Sequence, residues 1–476
     1  MAAGDRTLVV DLDGTLLRSD MLYESFWAAL SHSWTVPFSA IAALASGRAA
    51  LKRRLAGLGT VDPALLPFDE AAIEYVRRWR AAGGRTALVT ASDQTCADAV
   101  AAHVALFDEA YGSDGKANLK GEAKARFLAD KFGDGGFAYM GDAPADLPVW
   151  RRAGKAITVG APPGLRSAVD AIAAEPEHIG TSRAVSAGAF LKALRPHQWI
   201  KNTLVFVPML AAHRFTAEAL IESAVAFVAF CLIASGVYIL NDLLDLAADR
   251  AHPRKRRRPF ASGDLPLAAG TWAAPLLLAG GLACAAALGW ASVLVMLSYL
   301  AGSAAYSLDL KRRAIVDVCV LAALYTARLT AGGVATGTPL SVWLLAFSIF
   351  LFFSLGAMKR YAELVDGAAT GRLSLEGRNY AVGDLPLIGM MTLASGYVSV
   401  LVLALYLNSP AVATLYTSPS ALWGICLVML YWVSRMALAS HRGTMHDDSV
   451  VFAIKDRISL LCLGLIVAFA LAGALL

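Results

Sequence analysis

The chain has 476 residues, of which 57% are hydrophobic and 17% charged. Soluble domains average roughly 45–50% apolar and about 25% charged residues, so a protein lying wholly in water is excluded. The net charge of +5 is small, and we expect no nucleic-acid partner. The six cysteines form no CxxC pair and lie mostly inside apolar blocks, so they read as small buried hydrophobes, not as disulfides or zinc ligands.

The apolar excess is uneven. Charges run throughout residues 1–180, whereas apolar blocks dominate from about 190 onward. This predicts a soluble domain over 1–170, a short linker rich in small residues over 171–188, and a membrane domain over 189–476. The opening MAAGDRTLVVDLDG has an Asp at position 5 and no apolar core before its first turn, so we expect no secretory signal there.

In the first domain, the short apolar run RTLVV ends at Asp11. Similar runs recur at 85–89, 137–140 and 156–159, separated by helix-compatible segments. Alternating strands and helices predict a Rossmann-like α/β sheet that binds its ligand at the carboxyl ends of its strands. Those ends carry Asp11 and Asp13, Thr90, and Asp142 with Asp146, and Lys120 is expected to begin the helix in NLKGEAKARFL. Residues 20–70 read as a small helical cap, in which Trp27, Phe38 and Ile41 are most simply packing residues, with a membrane-touching surface as the lesser alternative.

The set DLDGT, LVTASD, LKGEAK and GDAPAD resembles the haloacid dehalogenase (HAD) superfamily over about residues 6–170. The resemblance implies that Asp11 attacks phosphorus to form an aspartyl-phosphate. Asp13 would protonate the leaving oxygen and later activate water, and Thr90 and Lys120 would hold the phosphoryl oxygens. Asp142 and Asp146 would bind Mg²⁺ beside Asp11 and Asp13. An Asp at position 13 favours phosphatase over ATPase chemistry. The chain departs from the family in carrying Ala145 where Asn is common.

The second domain is predicted to be an all-α integral membrane bundle of about nine spans: 193–213, 217–240, 266–287, 289–308, 315–335, 341–358, 386–408, 418–437 and 458–476. With the N-terminal domain in the cytoplasm, the cytoplasmic connections, counted with Arg435, hold 17 Lys or Arg; the opposite connections hold only Arg214. Such asymmetry predicts an inner-membrane protein with its polar clusters facing the cytoplasm.

The stretch NDLLDLAADRAHPRKRRRP begins after the second span. Asn241, Asp242, Asp245 and Asp249 fall within 100° of one another on a helix, one oxygen-rich face suited to Mg²⁺ with a phosphate ligand. The Arg254–Arg258 run serves topology and anionic headgroups in part. This stretch resembles the first aspartate-rich motif of the UbiA superfamily of intramembrane prenyltransferases over about residues 190–476. Where that family carries a second acidic string, this chain has MKRYAELVDGAATGRLSLEGRNY, with Lys359, Arg360, Glu363 and Arg378.

Together, RPHQWIKN, the ADRAHPRKR string, KRYAEL and KDR look much like the decaprenyl-phosphate phosphoribosyltransferase branch of that superfamily. The resemblance implies phosphoribosyl diphosphate as donor and a polyprenyl phosphate as acceptor, with Mg²⁺ in both domains. Arg195, Lys201, Arg258, Tyr306, Lys311, Lys359, Arg360, Glu363 and Arg378 would bind substrate around Asp242 and Asp245. Two alternatives stay open: a prenyl diphosphate-dependent transferase acting on an aromatic acceptor, and a first domain that only regulates or scaffolds.

Overall fold

The computed structural model describes residues 6–114, 119–180, 186–371, 373–374, 378–445 and 448–475. The chain divides into two compact units, one of Met1–Leu194 with Tyr238–Pro275, the other of Arg195–Val237 with Leu276–Leu476. The expected linker, residues 171–188, falls within the first of these units. Its residues 176–179 form a sheet strand, and its residues 181–185 lie outside the described residues.

The first unit is built on six parallel strands: β1 (Thr7–Val10), β2 (Thr86–Asp93), β3 (Glu109–Ser113), β4 (Phe137–Gly141), β5 (Lys155–Val159) and β6 (Pro176–Ile179), in the order β3-β2-β1-β4-β5-β6. Successive side chains of a strand point to opposite faces. Leu8, Val10, Leu88, Met140 and Ile157 accordingly pack in one core, and Val9, Ala87, Val89, Tyr139 and Ala156 in another. Apolar layers on both faces are what a helix-covered parallel sheet requires. β3 (EAYGS) and β6 (PEHI) are the two edges. Half solvated, they lack the continuous apolar runs that marked the four inner strands. Because β1 lies between β2 and β4, the strand order reverses at its carboxyl end, where α/β sheets open a ligand crevice.

Three cap helices follow β1: α1 (Met21–His32), α2 (Val36–Ala45) and α3 (Arg48–Leu58). Asp20 starts α1 by accepting the Leu22 N–H, and the three pack through Ala29, Val36 and Leu55. Trp27 is buried as expected, and its Nε1 donates to Thr271 Oγ1 at 2.9 Å. Phe38 and Ile41 are not packing residues: they are 67% and 68% exposed, because α2 meets its neighbours through the opposite side.

Eight helices among the described residues are long and apolar enough to cross a membrane. The first expected span is instead a 3-10 run, Pro196–Phe206, followed by the short helix Val207–Ala211. Ala217–Leu244 and Val342–Ala369 have 28 residues each. At 1.5 Å per residue that is about 42 Å, against roughly 30 Å of hydrocarbon. Each therefore has a turn or more to spare, and the NDxxD and KRYAEL strings occupy those surplus ends. In the second unit, helix Val316–Ala335 packs closely because its interface is small: a Cβ on Gly332 would lie 1.9 Å from the Val205 carbonyl oxygen.

Candidate active sites

In the first unit, Asp11 immediately follows β1 and accepts the Leu12 N–H at 2.9 Å and the Lys124 ammonium at 2.8 Å, both on Oδ1. The loop after β4 brings Asp142 and Asp146 to it, with one oxygen from each of the three carboxylates within 4.8 Å of the others. Three acids served by a single buried lysine form a donor set that fits Mg²⁺. Among the described residues this is the only such cluster. Lys124 Nζ donates to Tyr139 Oη at 3.0 Å, and Tyr139 Oη donates to Asp146 Oδ1 at 2.8 Å, so one phenol spans the lysine and the third acid. Gly14 has φ +75°, and a Cβ there would lie 2.2 Å from an Asp142 oxygen; only glycine lets the DLDG turn pass beneath that carboxylate.

Asp13 stands on the other side of the crevice. It accepts the Met21 N–H at 2.8 Å and the Ser92 hydroxyl at 2.7 Å, with Thr90 Oγ1 at 3.5 Å. Burial, with Asp20 and Asp11 as negative neighbours, pushes its carboxyl up to about 7, so it holds a proton near neutrality. Lys52, from cap helix α3, reaches in to donate to the Ala91 carbonyl at 2.6 Å, and burial lowers its affinity for its proton.

The aspartate-rich string also belongs to this unit. It does not ride on one continuous helix: Ala217–Leu244 ends, Asp245 sits at the break, and a short helix Leu246–Ala251 follows. Backbone bonds from Asp245 N to Asn241 O and from Asp249 N to Asp245 O keep the shared face. Asn241 and Asp245 are half-buried; Asp242 and Asp249 are buried and share Arg258, at 3.0 and 2.6 Å. Asp249 Oδ1 is buried without a hydrogen bond, with Lys255 Nζ 3.9 Å away. An orphaned carboxylate oxygen beside Asp242 fits a cation.

The second unit holds two charge clusters. Lys201 and Lys359 converge on Asp448 at 3.0 and 3.1 Å. Burial alone would raise that acid, but the two ammonium groups hold it well below the usual carboxylate range. Arg360 is fully buried, bonded to Asp317, to Glu363 at 2.7 Å and to Tyr306 Oη at 3.0 Å. Tyr380 Oη donates to Asp317 at 2.6 Å, and Arg378 lies 3.5 Å from Asp317 and 3.8 Å from Glu363.

The sequence pattern of the UbiA prenyltransferase family matches residues 203–453, more than half of the chain. The chain belongs to the UbiA prenyltransferase family. The pattern of haloacid dehalogenase-like hydrolases matches residues 8–151, so a HAD domain precedes the UbiA domain. An uncharacterized protein of Sinorhizobium fredii is 40% identical over 470 residues, covering 98% of this chain and 91% of its own. The nodulation protein NoeC of Azorhizobium caulinodans is 39% identical over 279 residues, 58% of this chain and 89% of its own. The decaprenyl-phosphate phosphoribosyltransferase of Mycobacterium tuberculosis is 45% identical over 194 residues, 39% of this chain and 64% of that enzyme. This is an integral membrane protein of the UbiA family with a HAD domain.

In the HAD domain the structure gathers Asp11, Asp13, Thr90, Asp142 and Asp146, and places a second lysine among them. The lysine on Asp11 is Lys124, not Lys120; Lys120 is exposed at the rim of the crevice, and the helix starts later than expected, at Glu122. Only Lys124 lies on the inward face of that helix. In the UbiA domain, Arg258 stands on the acids, while Tyr306, Arg360, Glu363 and Arg378 form one network and Lys201 and Lys359 another. Arg195 opens the Pro196–Phe206 run at φ +54°. Lys311, on the turn Leu310–Arg312, joins none of the ion pairs found among the described residues. Sequence reading missed Lys52, Asp317 and Asp448, each outside a recognised motif. It also missed Arg328, buried between Asn202 Oδ1 at 2.9 Å and Tyr299 Oη at 3.0 Å. An arginine inside an apolar span was the one signal available for it.

With a chromogenic phosphate ester, Lys124→Met should lower kcat by roughly 10²–10³-fold, the cost of one lost donor on developing charge. Lys120→Met should cost under about tenfold. Equal losses from the two variants would return the role to Lys120.

Proposed function

We propose that the UbiA domain transfers a 5-phosphoribosyl group from phosphoribosyl diphosphate to a polyprenyl phosphate, and that the HAD domain then removes the 5-phosphate of the lipid product. The carrying observation is the cationic KRYAEL segment. Lys359 and Arg360 stand where the family's second acidic string is expected, and the chain is 45% identical over 194 residues to a decaprenyl-phosphate phosphoribosyltransferase.

In the UbiA domain, Asp242, Asp245 and Asp249, with Asn241, would hold Mg²⁺, which when bound neutralises charge on a departing diphosphate. Arg258 already neutralises two of these acids and is placed to turn toward a phosphate. Lys201 and Lys359, both drawn to Asp448, present ammonium groups to a second phosphate, and Arg195, Lys311 and Arg378 add positive charge. Arg360, fixed on three partners, positions Tyr306 and Glu363. The acceptor phosphate is anionic at neutral pH, so the step needs no strong general base. The strong bias of Lys and Arg to one set of connections supports a cytoplasmic position for both sites in the inner membrane.

In the HAD domain, Asp11, Asp142 and Asp146 would hold Mg²⁺, with Asp13 beside them. Asp11 supplies the nucleophilic oxygen, its carboxylate held in place by the Leu12 N–H and Lys124. Lys124 offers positive charge to the phosphoryl oxygens, and Thr90 and Ser92 add hydroxyls beside Asp13. Asp13, protonated near neutrality, gives its proton to the leaving alcohol and takes one back from the water that releases phosphate.

Detergent-solubilised protein given ribose-labelled phosphoribosyl diphosphate, a polyprenyl phosphate and Mg²⁺ should move the label into the organic phase. If the label stays in water while a prenyl diphosphate alkylates an aromatic acceptor, the chain is a prenyltransferase and this reading fails.

A further inference from the structure

The HAD crevice does not end at its acids. One cavity of about 1370 Å³ begins at Asp11, Asp13 and Lys124 and extends to Leu267, Thr271 and Trp272 on the apolar helix Leu267–Ala287, one of the eight long enough to cross a membrane. Pockets for whole drug-sized ligands measure roughly 300–1,000 Å³, so a sugar phosphate alone would leave most of this space empty. The wall between the two ends is Pro37, Ala40, Ile41 and Leu44 of cap helix α2.

Two further observations bear on what fills it. The apolar surface continues past the cavity: Phe38 on α2 and Trp34 just before it join the wall residues Ile41 and Leu44, all at least half exposed, in a patch of the kind that meets lipid or a partner. On the helix Leu267–Ala287, Trp272 is 71% exposed, as a lipid-facing interfacial tryptophan would be. The cap is also fastened to this helix and to the segment before it. Arg250 holds Glu24 through two bonds of 2.7 and 2.9 Å, both side chains nearly buried; Trp27 bonds Thr271, and Arg18 pairs with Asp264 at 2.9 Å. The cap that carries the apolar wall is therefore held against the start of this helix through α1. Arg48, Lys192 and Arg257 line the same cavity and supply positive charge.

We propose that this groove between α2 and the start of Leu267–Ala287 binds the aliphatic chain of a lipid-linked phosphomonoester, so that the HAD domain selects substrates anchored in the bilayer over soluble ones. The inference rests on the phosphatase reading of the domain and is independent of which donor the UbiA domain uses. A chain rising from the membrane lies along Trp272, Leu267 and Ile41 while its terminal phosphate reaches Asp11. Burial of each methylene strengthens binding roughly fourfold, so a few buried carbons suffice for strong selection.

The test compares kcat/KM for farnesyl-phosphoryl-5-phosphoribose in detergent micelles with that for ribose 5-phosphate, in the full-length protein and in Ile41→Glu/Leu44→Glu. Both side chains are well exposed, so the double variant should fold; gel filtration and circular dichroism check this. The expected result is a preference of at least about 100-fold for the lipid in wild type, reduced tenfold or more in the variant. A diazirine placed in the lipid chain should label residues 36–45 or 267–275. Equal use of both substrates, a preference untouched by the variant, or crosslinks confined to other helices would overturn the groove while leaving the phosphatase standing. Hydrolysis of neither substrate would overturn both.

Discussion

Asp11→Asn should convert the end product of the labelled assay from lipid-linked ribose to lipid-linked phosphoribose. The amide keeps the size of the carboxylate and can still meet the Leu12 N–H, but it is no nucleophile and carries no charge for Lys124. Removing the central nucleophile of a covalent mechanism costs more than about 10³-fold, so phosphate release should fall to background over the assay. Thin-layer chromatography of the organic phase, with and without added alkaline phosphatase, reads the outcome. If variant and wild type give the same phosphorylated lipid, the HAD domain does not act on the product of its neighbour. As a control on the other domain, Asp242→Asn should leave the organic phase unlabelled.

The second large effect is on stability. Asp317 is fully buried in the apolar helix Val316–Ala335 and is the common acceptor for Arg360 and Tyr380, with Arg378 nearby. Asp317→Ala strands the Arg360 guanidinium, itself fully buried, with one fewer counter-charge. Breaking a buried pair from one side typically costs about 3–5 kcal/mol, whereas replacing both partners with apolar groups is often neutral. Asp317→Ala should therefore lower the thermal transition in detergent well below that of wild type. Asp317→Leu/Arg360→Met should recover much of the loss while remaining inactive, because Tyr306 and Glu363 lose the group that positions them. A double variant no more stable than Asp317→Ala would show that the network is not the source of the effect.

These two predictions draw on different kinds of information. Asp11 was legible at once: an apolar strand ending in DLDGT places an acid at a sheet crevice whatever surrounds it. Asn241, Asp242, Asp245 and Asp249 were legible for a similar reason, since their spacing alone puts them on one face. Asp317 was not. A single acid within an apolar block has no spacing to interpret, and its meaning comes from Arg360, 43 residues away. Asp448 is likewise defined by Lys201 and Lys359, which approach it from distant segments.

The HAD lysine shows the boundary most sharply. Lys120 and Lys124 both belong to LKGEAK, and either is consistent with the motif; the docking of Glu122–Phe132 decides between them by turning Lys124 inward onto Asp11 and Tyr139. The edge strands β3 and β6 escaped notice because half-solvated strands need no continuous apolar run. Residues 241–265, expected in the membrane domain, belong to the same compact unit as the HAD sheet through Arg250, Asp264 and their partners.

By itself, the sequence determined that part of this chain lies in lipid, the four inner strands and eight of the spans, and which acids stand at their ends. Those properties follow from the period and polarity of neighbouring residues. Only the tertiary structure decided which lysine serves Asp11, what neutralises Arg360, and that the cap is bonded to the apolar helix Leu267–Ala287 through Trp27 and Thr271. Such facts depend on pairs of segments far apart in the chain, and a local pattern records what an element must bury but not what it will meet.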